Sequence, residues 1–338
     1  MQTIEELDEI MTKPSPRLIN DLKQISGDIM ILGVGGKMGP SLAKLTKRAI
    51  DEAALEKKVI GVSRFSSGPL QKELESFGIK TITADLLNDK ELQALPDVKN
   101  IIFMAGKKFG TMGNEHVTWG MNTYLPGRVA EKFSNSNIVV FSSGNIYPFV
   151  DITKGGCTEH TPTNPIGEYA QSCLGRERVF THFAKKNNTP ILLYRLNYAI
   201  DMRYGVLLEV AKQVYEEKPV DLRTGHVNVI WQGDANEFAL RSLLHCSTDP
   251  AILNITGPET ASVRWLAEEF GRHLNKKVSF KNEEAPNALL NNSGKAHKLF
   301  GYPSIPLQQM IEWTAKWLQH GGEIMEKPTH FQERQGAF

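Results

Sequence analysis

The chain has little cysteine: Cys157, Cys173 and Cys246 are the only three in 338 residues. They are too scattered for a disulfide framework or a zinc site, and a reducing, cytoplasmic setting is expected. It also lacks an excess of either charge, with 39 Lys and Arg against 38 Asp and Glu and a net charge of +1. That balance gives no reason to expect nucleic acid or an anionic membrane as partner. No apolar run approaches the roughly 20 residues needed to cross a bilayer. The opening MQTIEELDEIMT has neither the basic start nor the apolar core of a secretory signal, so none is expected there. Internal repeats and low-complexity linkers are missing too.

What the chain does have is alternation. Short apolar or β-branched runs at 28–34, 58–63, 80–84, 100–105, 137–143 and 190–196 are separated by helical patterns such as PSLAKLTKRAIDEAALEK and TYLPGRVAEKF. Nearly continuous apolar strands alternating with helices predict an α/β fold, a Rossmann-type doubly wound parallel sheet with ligands at the strand carboxyl ends. Residues 1–27 read as a helical arm interrupted by KPSP and 28–200 as the nucleotide-binding domain. Residues 201–320 read as a smaller C-terminal, mainly substrate-binding part with amphipathic helices. VNVIW and AILNI are expected to return partly to the main sheet, and 321–338 is a tail without clear period, packing on the surface or on a partner.

The segment ILGVGGKMGPSLAKL places Gly33, Gly36 and Gly39 directly after a strand and at the opening of a helix. Such glycines allow a tight turn, close approach of a pyrophosphate and close helix–sheet packing, with helix N–H groups facing the phosphates. Lys37 and Met38 lie in the same turn and join the candidate cofactor contacts. The second strand ends at Ser63 and Arg64 rather than at the acid that selects NAD. Arg64 is suited to grip a 2′-phosphate, with Ser63 or Ser66 donating as well, so NADP is favoured and NAD possible. Asp85 and Leu86 are placed to meet the adenine, and a helix N-cap is the competing role for Asp85.

Further along, MAGKKFG, GMNTYLPG, FSSGNIY, EYAQSCLGRE and NVIWQGDANEF follow in order. With the glycine turn, this set resembles the extended short-chain dehydrogenase/reductase superfamily, in its NAD-dependent epimerase/dehydratase branch, from about residue 28 to about residue 320. The resemblance implies cofactor contacts at Ala105, Gly106 and Lys107, a structural asparagine at Asn122 and a glutamate at Glu177. It implies that Ser143 orients a substrate oxygen while Tyr169 exchanges a proton with it, as hydride transfer at an alcohol carbon requires. A homodimer built on the helices of Asn122 and Tyr169 is implied as well.

Two features of the family pattern are missing. The lysine four places after the tyrosine, which lowers the phenol pKa and holds the nicotinamide ribose, is replaced by Cys173. A neutral thiol supplies no field, and a thiolate would push the phenol the wrong way. Either another cation acts, Lys108 or Lys107 with the oxidised nicotinamide ring, or the protein binds its cofactor without turnover, or Cys173 is itself reactive. The asparagine-aromatic-glycine-proline segment is also missing, with NYAID in its place. Asn197, Asp201, Arg203 and Arg223 are candidate substrate contacts, and His116 and Trp119 candidate pocket residues. The reading is an NAD(P)-dependent epimerase, dehydratase or reductase of a small sugar, sugar acid or nucleotide sugar, with Tyr169, Ser143 and Lys108 catalytic and no metal. The alternative is a redox-silent NAD(P)-binding sensor or scaffold.

Overall fold

The computed structural model describes residues 1–66, 68–326 and 329–337. Two helices come first: α1 (Ile4–Met11), capped by the Thr3 hydroxyl, and α2 (Pro16–Gln24), capped by Ser15 with Pro16 in its first turn. The six apolar runs become β1 (Ile29–Leu32), β2 (Val59–Ser63), β3 (Lys80–Thr83), β4 (Asn100–Phe103), β5 (Asn137–Ser143) and β6 (Ile191–Leu196). AILNI joins them as β7 (Ala251–Ile255), giving a seven-stranded sheet of order β7-β6-β5-β4-β1-β2-β3. Every neighbouring pair is parallel. VNVIW stays outside that sheet. His226–Val227 pairs with Ala261–Ser262, and Ile230–Trp231 pairs with Ala199–Ile200.

Alternation along each strand sends side chains to opposite faces. On one face, Ile29 and Ile31 pack with Leu18 and Leu22 of α2 and with Leu42 and Leu45 of α3 (Gly39–Glu52). The β2–β3 and β3–β4 connections carry α4 (Leu70–Ser76) and α5 (Asp89–Gln93). After β4 come α6 (Glu115–Trp119), a π-helical turn at Gly120–Tyr124 and α7 (Leu125–Lys132). Leu125 and Val129 meet Met30, Leu32 and Phe103 on the other face, with Phe180 of the long α8 (Gly167–Asn187).

The remaining helices are α9 (Val206–Tyr215), α10 (Gln232–Arg241), α11 (Val263–Leu274), α12 (Gly294–Phe300) and α13 (Leu307–Gln319). α9, α11 and α13 enclose a second core that takes Leu7 and Met11 from α1, so the amino-terminal arm serves both cores. Gln232 and Asn236 of α10 donate to Ser41 Oγ and tie α10 to α3. No helix among the described residues is long and apolar enough to cross a membrane.

A buried polar chain fixes α8 against the sheet. The Glu177 carboxylate accepts from Ser142 at 2.6 Å and pairs with Arg195 at 2.7 Å. Arg195 donates in turn to the Tyr147 hydroxyl, which donates to Asn254 Oδ1 at 2.9 Å. These contacts link α8 to β5, β6 and β7 and set the first turn of α8 over the carboxyl end of β5.

Candidate active site

β1 and β4 are adjacent in the sheet, yet their connections leave in opposite directions, which opens a crevice at their carboxyl ends. Gly33 turns there at φ +92°, so close to β4 that a Cβ would stand 2.7 Å from the Ala105 nitrogen. At Gly39 a Cβ would lie 2.2 Å from the Val34 carbonyl oxygen, which is why α3 packs so closely. Met38 gives α3 no side-chain cap, so its first amides remain for a ligand. A cavity of about 300 Å³ follows, lined by Gly33, Gly36, Ser63, Arg64, Ser66, Asp85, Leu86, Ala105 and Gly106. A second cavity of about 300 Å³ shares Gly36 and Met104 with it and runs on to Ser143 and Tyr169. An elongated dinucleotide fits this path, with helix amides midway, a guanidinium at one end and two hydroxyls at the other.

Some expected contacts lie elsewhere. Asn122 is fully buried, and its carboxamide bonds Lys107 N and O at 2.8 Å each and the Ser172 hydroxyl at 3.0 Å. It staples the loop after β4 from within the π-helical turn, and neither it nor Lys107 lines a cavity. Asp85 closes its own turn by accepting from Leu87 N, while Asn88 is the residue that caps α5.

Ser143 ends β5, and its Oγ accepts from Asn145 N at 3.1 Å, capping a short 3₁₀ turn. It lines the second cavity together with Tyr169, in the first turn of α8. Burial pushes that phenol far above its usual range and the Cys173 thiol adds to the rise, whereas the Arg176 guanidinium and the Ser143 hydroxyl pull it back. Cys173 is fully enclosed with Ile146, Tyr147 and Leu289, and burial raises its thiol too. It is a neutral packing residue rather than a reactive thiolate.

Arg176 was not among the residues expected from sequence, although it lies three places after Cys173 and seven after Tyr169, on one helix face. Its guanidinium, 6% exposed, donates to Phe141 O at 2.7 Å, Asn122 Oδ1 at 2.8 Å and Asn122 O at 3.4 Å. All three acceptors are uncharged carbonyl oxygens. Its Nη2 would be 2.6 Å from a Cβ on Gly106, directly under the β4 loop. Lys108 approaches from the other side: its Nζ is 5.9 Å from the Tyr169 ring centre and donates to Thr329 O at 3.2 Å. Burial brings its pKa down to about 8, with Cys173 and Glu209 acting against the fall.

On the substrate side, Lys37 leaves the glycine turn and sets its Nζ 3.2 Å above the Tyr204 ring. It lines the second cavity rather than the first, and burial lowers its pKa to about 7. Asn197, 2% exposed, lines the same cavity and donates to Asn228 Oδ1 at 2.8 Å. The next residue, Tyr198, sits at φ +42°, rare for a bulky side chain, and also borders the cavity. Arg203 does not reach it. Asp201, two places earlier, takes its guanidinium at 2.7 Å, and Asp221 takes Arg223 in the same way. His116 and Trp119 line neither cavity, and Trp119 faces outward beside Tyr124 and Phe183.

The carboxyl-terminal tail enters the mouth of the cleft instead of lying on the surface. Thr329 N donates to the Glu209 carboxylate, the His330 ring lies tilted against Phe109 with centroids 5.8 Å apart, and Phe331 is 2% exposed. Among the described residues, no group of three or more His, Cys, Asp or Glu side chains could hold a metal ion.

A family model described as the NAD dependent epimerase/dehydratase family matches residues 29–227. Among solved structures, the chain resembles a UDP-glucuronic acid 4-epimerase from Bacillus cereus in complex with UDP-glucuronic acid and NAD. That match has 18% identity, covers 86% of this chain and 99% of that one, and has a TM-score of 0.69. A dTDP-glucose 4,6-dehydratase from Bacillus anthracis in complex with NAD is similar at 16% identity, covering 87% and 97%, with a TM-score of 0.71. A UDP-glucose 4-epimerase from Thermus thermophilus in complex with NAD gives 16%, 86% and 99%, and 0.69. No curated protein gives a significant sequence match.

Proposed function

The chain belongs to the NAD dependent epimerase/dehydratase family, and on that premise we propose that it is a nicotinamide-dependent epimerase, dehydratase or reductase acting at a hydroxyl-bearing carbon of a sugar-like substrate. The observation that carries this reading is that Ser143 and Tyr169 line one cavity, which shares Gly36 and Met104 with the glycine-turn cradle. The cofactor, when bound, supplies a hydride acceptor or donor and, in its oxidised form, a positive charge. Gly33, Gly36 and Gly39 admit its diphosphate, and Arg64 with Ser63 and Ser66 favours the 2′-phosphate of NADP.

Ser143 holds the substrate oxygen, and Tyr169 takes its proton during oxidation and returns one during reduction. A phenol raised by burial stays protonated at neutral pH. Its use as a base requires added positive charge, and that is the duty assigned to Arg176, with Lys108 beside the ring. The missing lysine is thereby replaced from the next turn of the same helix. The apolar outer groove of Trp119, Tyr124, Val179 and Phe183, about 480 Å³, suits a two-fold contact with a second copy.

The test is incubation with NADP⁺ or NAD⁺ and a panel of sugars, sugar acids and nucleotide sugars, read by reduced-nicotinamide absorbance and product mass. Turnover that Tyr169→Phe abolishes supports the reading. The buried neutral Cys173 favours the second reading, redox-silent cofactor binding, and cofactor affinity without turnover across the panel would favour it over the first.

A further inference from the structure

Resting on the reading above, we propose that residues 333–337 form a plug over the outer end of the substrate cleft, where the Arg334 side chain holds the place of a planar group on the far part of the substrate. The outer chamber adjoins the cavity of Ser143 and Tyr169, sharing Lys108, Asn145, Tyr198 and Thr329 with it. Its walls include Phe149 and Thr224 from the body of the protein and Arg334 and Gly336 from the tail. The flat Arg334 guanidinium lies 4.2 Å from the centre of the Phe149 ring and donates to Asn287 O at 3.1 Å and to Asn287 Oδ1. Guanidinium groups and nucleobases both stack on aromatic faces and both carry N–H donors. Arg334 also reaches Arg223 O at 3.5 Å, beside Thr224. Thr224 is 2% exposed, and its buried hydroxyl has no hydrogen-bond partner among the described residues. Buried hydroxyls are as a rule paired, and a substrate group lying where the plug lies would pair this one.

The tail is held unequally along its length. Thr329 and Phe331 are buried, Phe331 within the core of α9, α11 and α13. A turn follows, closed by Glu333 N donating to His330 O at 2.9 Å, with His330 at φ +54°. Beyond it, no residue of 333–337 is buried. Arg334 holds by the contacts just given, and Gly336 packs on Gly167 so closely that neither position admits a Cβ. A segment with few buried apolar contacts is among the first to open. Phe331 is therefore a fixed pin, the turn a hinge and 333–337 the moving part. Gly167 begins α8 two residues before Tyr169, so the closed plug rests on the helix that carries the acid/base.

The test reads binding rather than turnover, so it stands or falls apart from the catalytic assignment. The full chain with saturating NADP⁺ is titrated calorimetrically with UDP-glucose and UDP-glucuronate, which carry a flat base at the far end, and with glucose and glucuronate, which do not. A plug docked about 90% of the time lowers the apparent affinity of a ligand it excludes by about tenfold. Gly336→Val, which cannot approach Gly167, and the double variant with Arg334→Ala should therefore tighten UDP-sugar binding by about tenfold or more and leave the monosaccharides unchanged. In that double variant, Thr224→Val should weaken UDP-sugar binding by about tenfold without lowering the thermal midpoint, since it removes an unpaired buried hydroxyl. Tighter UDP-sugar binding without any hydride transfer would sink the catalytic reading and leave the plug standing. UDP-sugar affinity unchanged or weakened by the plug variants, monosaccharide affinity rising equally, or no binding by any of the four ligands would each overturn it. So would Thr224→Val that spares affinity or lowers the midpoint.

Discussion

Replacing Arg176 by glutamine removes the cation assigned to the missing lysine's role while keeping an amide able to donate to Phe141 O. An opposite charge within roughly 4–6 Å lowers an acid's pKa by about 1–3 units. Arg176 begins two turns beyond Tyr169, about 10 Å along the helix at 1.5 Å per residue. Its side chain turns back under Gly106, so the low end, about one unit, is the appropriate expectation. One unit corresponds to about 1.4 kcal/mol of phenolate stabilisation. The cation favours the ionised phenol; without it the pKa rises, and activity that depends on phenolate emerges at higher pH. Arg176→Gln should therefore lose about tenfold in oxidation rate near neutral pH and shift the ascending limb of the pH–rate profile upward by about one unit. Arg176→Lys should shift it much less. The variant also leaves the Asn122 carbonyl groups short of a donor, at about 1–3 kcal/mol of stability, so rates are normalised to folded protein. A profile of reduced height but unchanged midpoint would refute the electrostatic role and leave Arg176 as packing.

Cys173→Lys alone should lower activity, because its ammonium would be buried beside Arg176 and Lys108; the double variant with Arg176→Ala should recover it, and a gain from the single change would count against the relocated cation. Arg64→Ala should weaken NADP binding far more than NAD binding by fluorescence titration, and equal losses would defeat the NADP preference. Arg195→Met strands the buried Glu177 carboxylate, so urea unfolding should show a loss of about 3–5 kcal/mol; a change under about 1 kcal/mol would show that the buried chain does not hold α8.

Where one residue's environment repeats along an element, the sequence is readable. The six apolar runs became strands within a few residues of their expected ends, five of them because the sheet buries nearly all their residues and the edge strand β3 only half-covered, while Gly33 and Gly39 were readable because a left-handed turn and a close helix admit nothing larger. The pairing of Arg203 and Arg223 was not read from the sequence, which offered both as substrate contacts, although in DMR and DLR an acid two places earlier takes each guanidinium. Periodicity could not expose the tail. Thr329, Arg334 and Gly336 each meet a different distant element, and such contacts leave no local repeat. The departure at position 173 is a further case, since a motif read as a fixed string loses its charge there, whereas the same helix read as a surface carries the cation proposed above at 176. An electrostatic requirement belongs to a place in space, and a helix offers that place to residues three and four positions apart, which is why the proposed role of Arg176 is to be tested together with Cys173 and not apart from it.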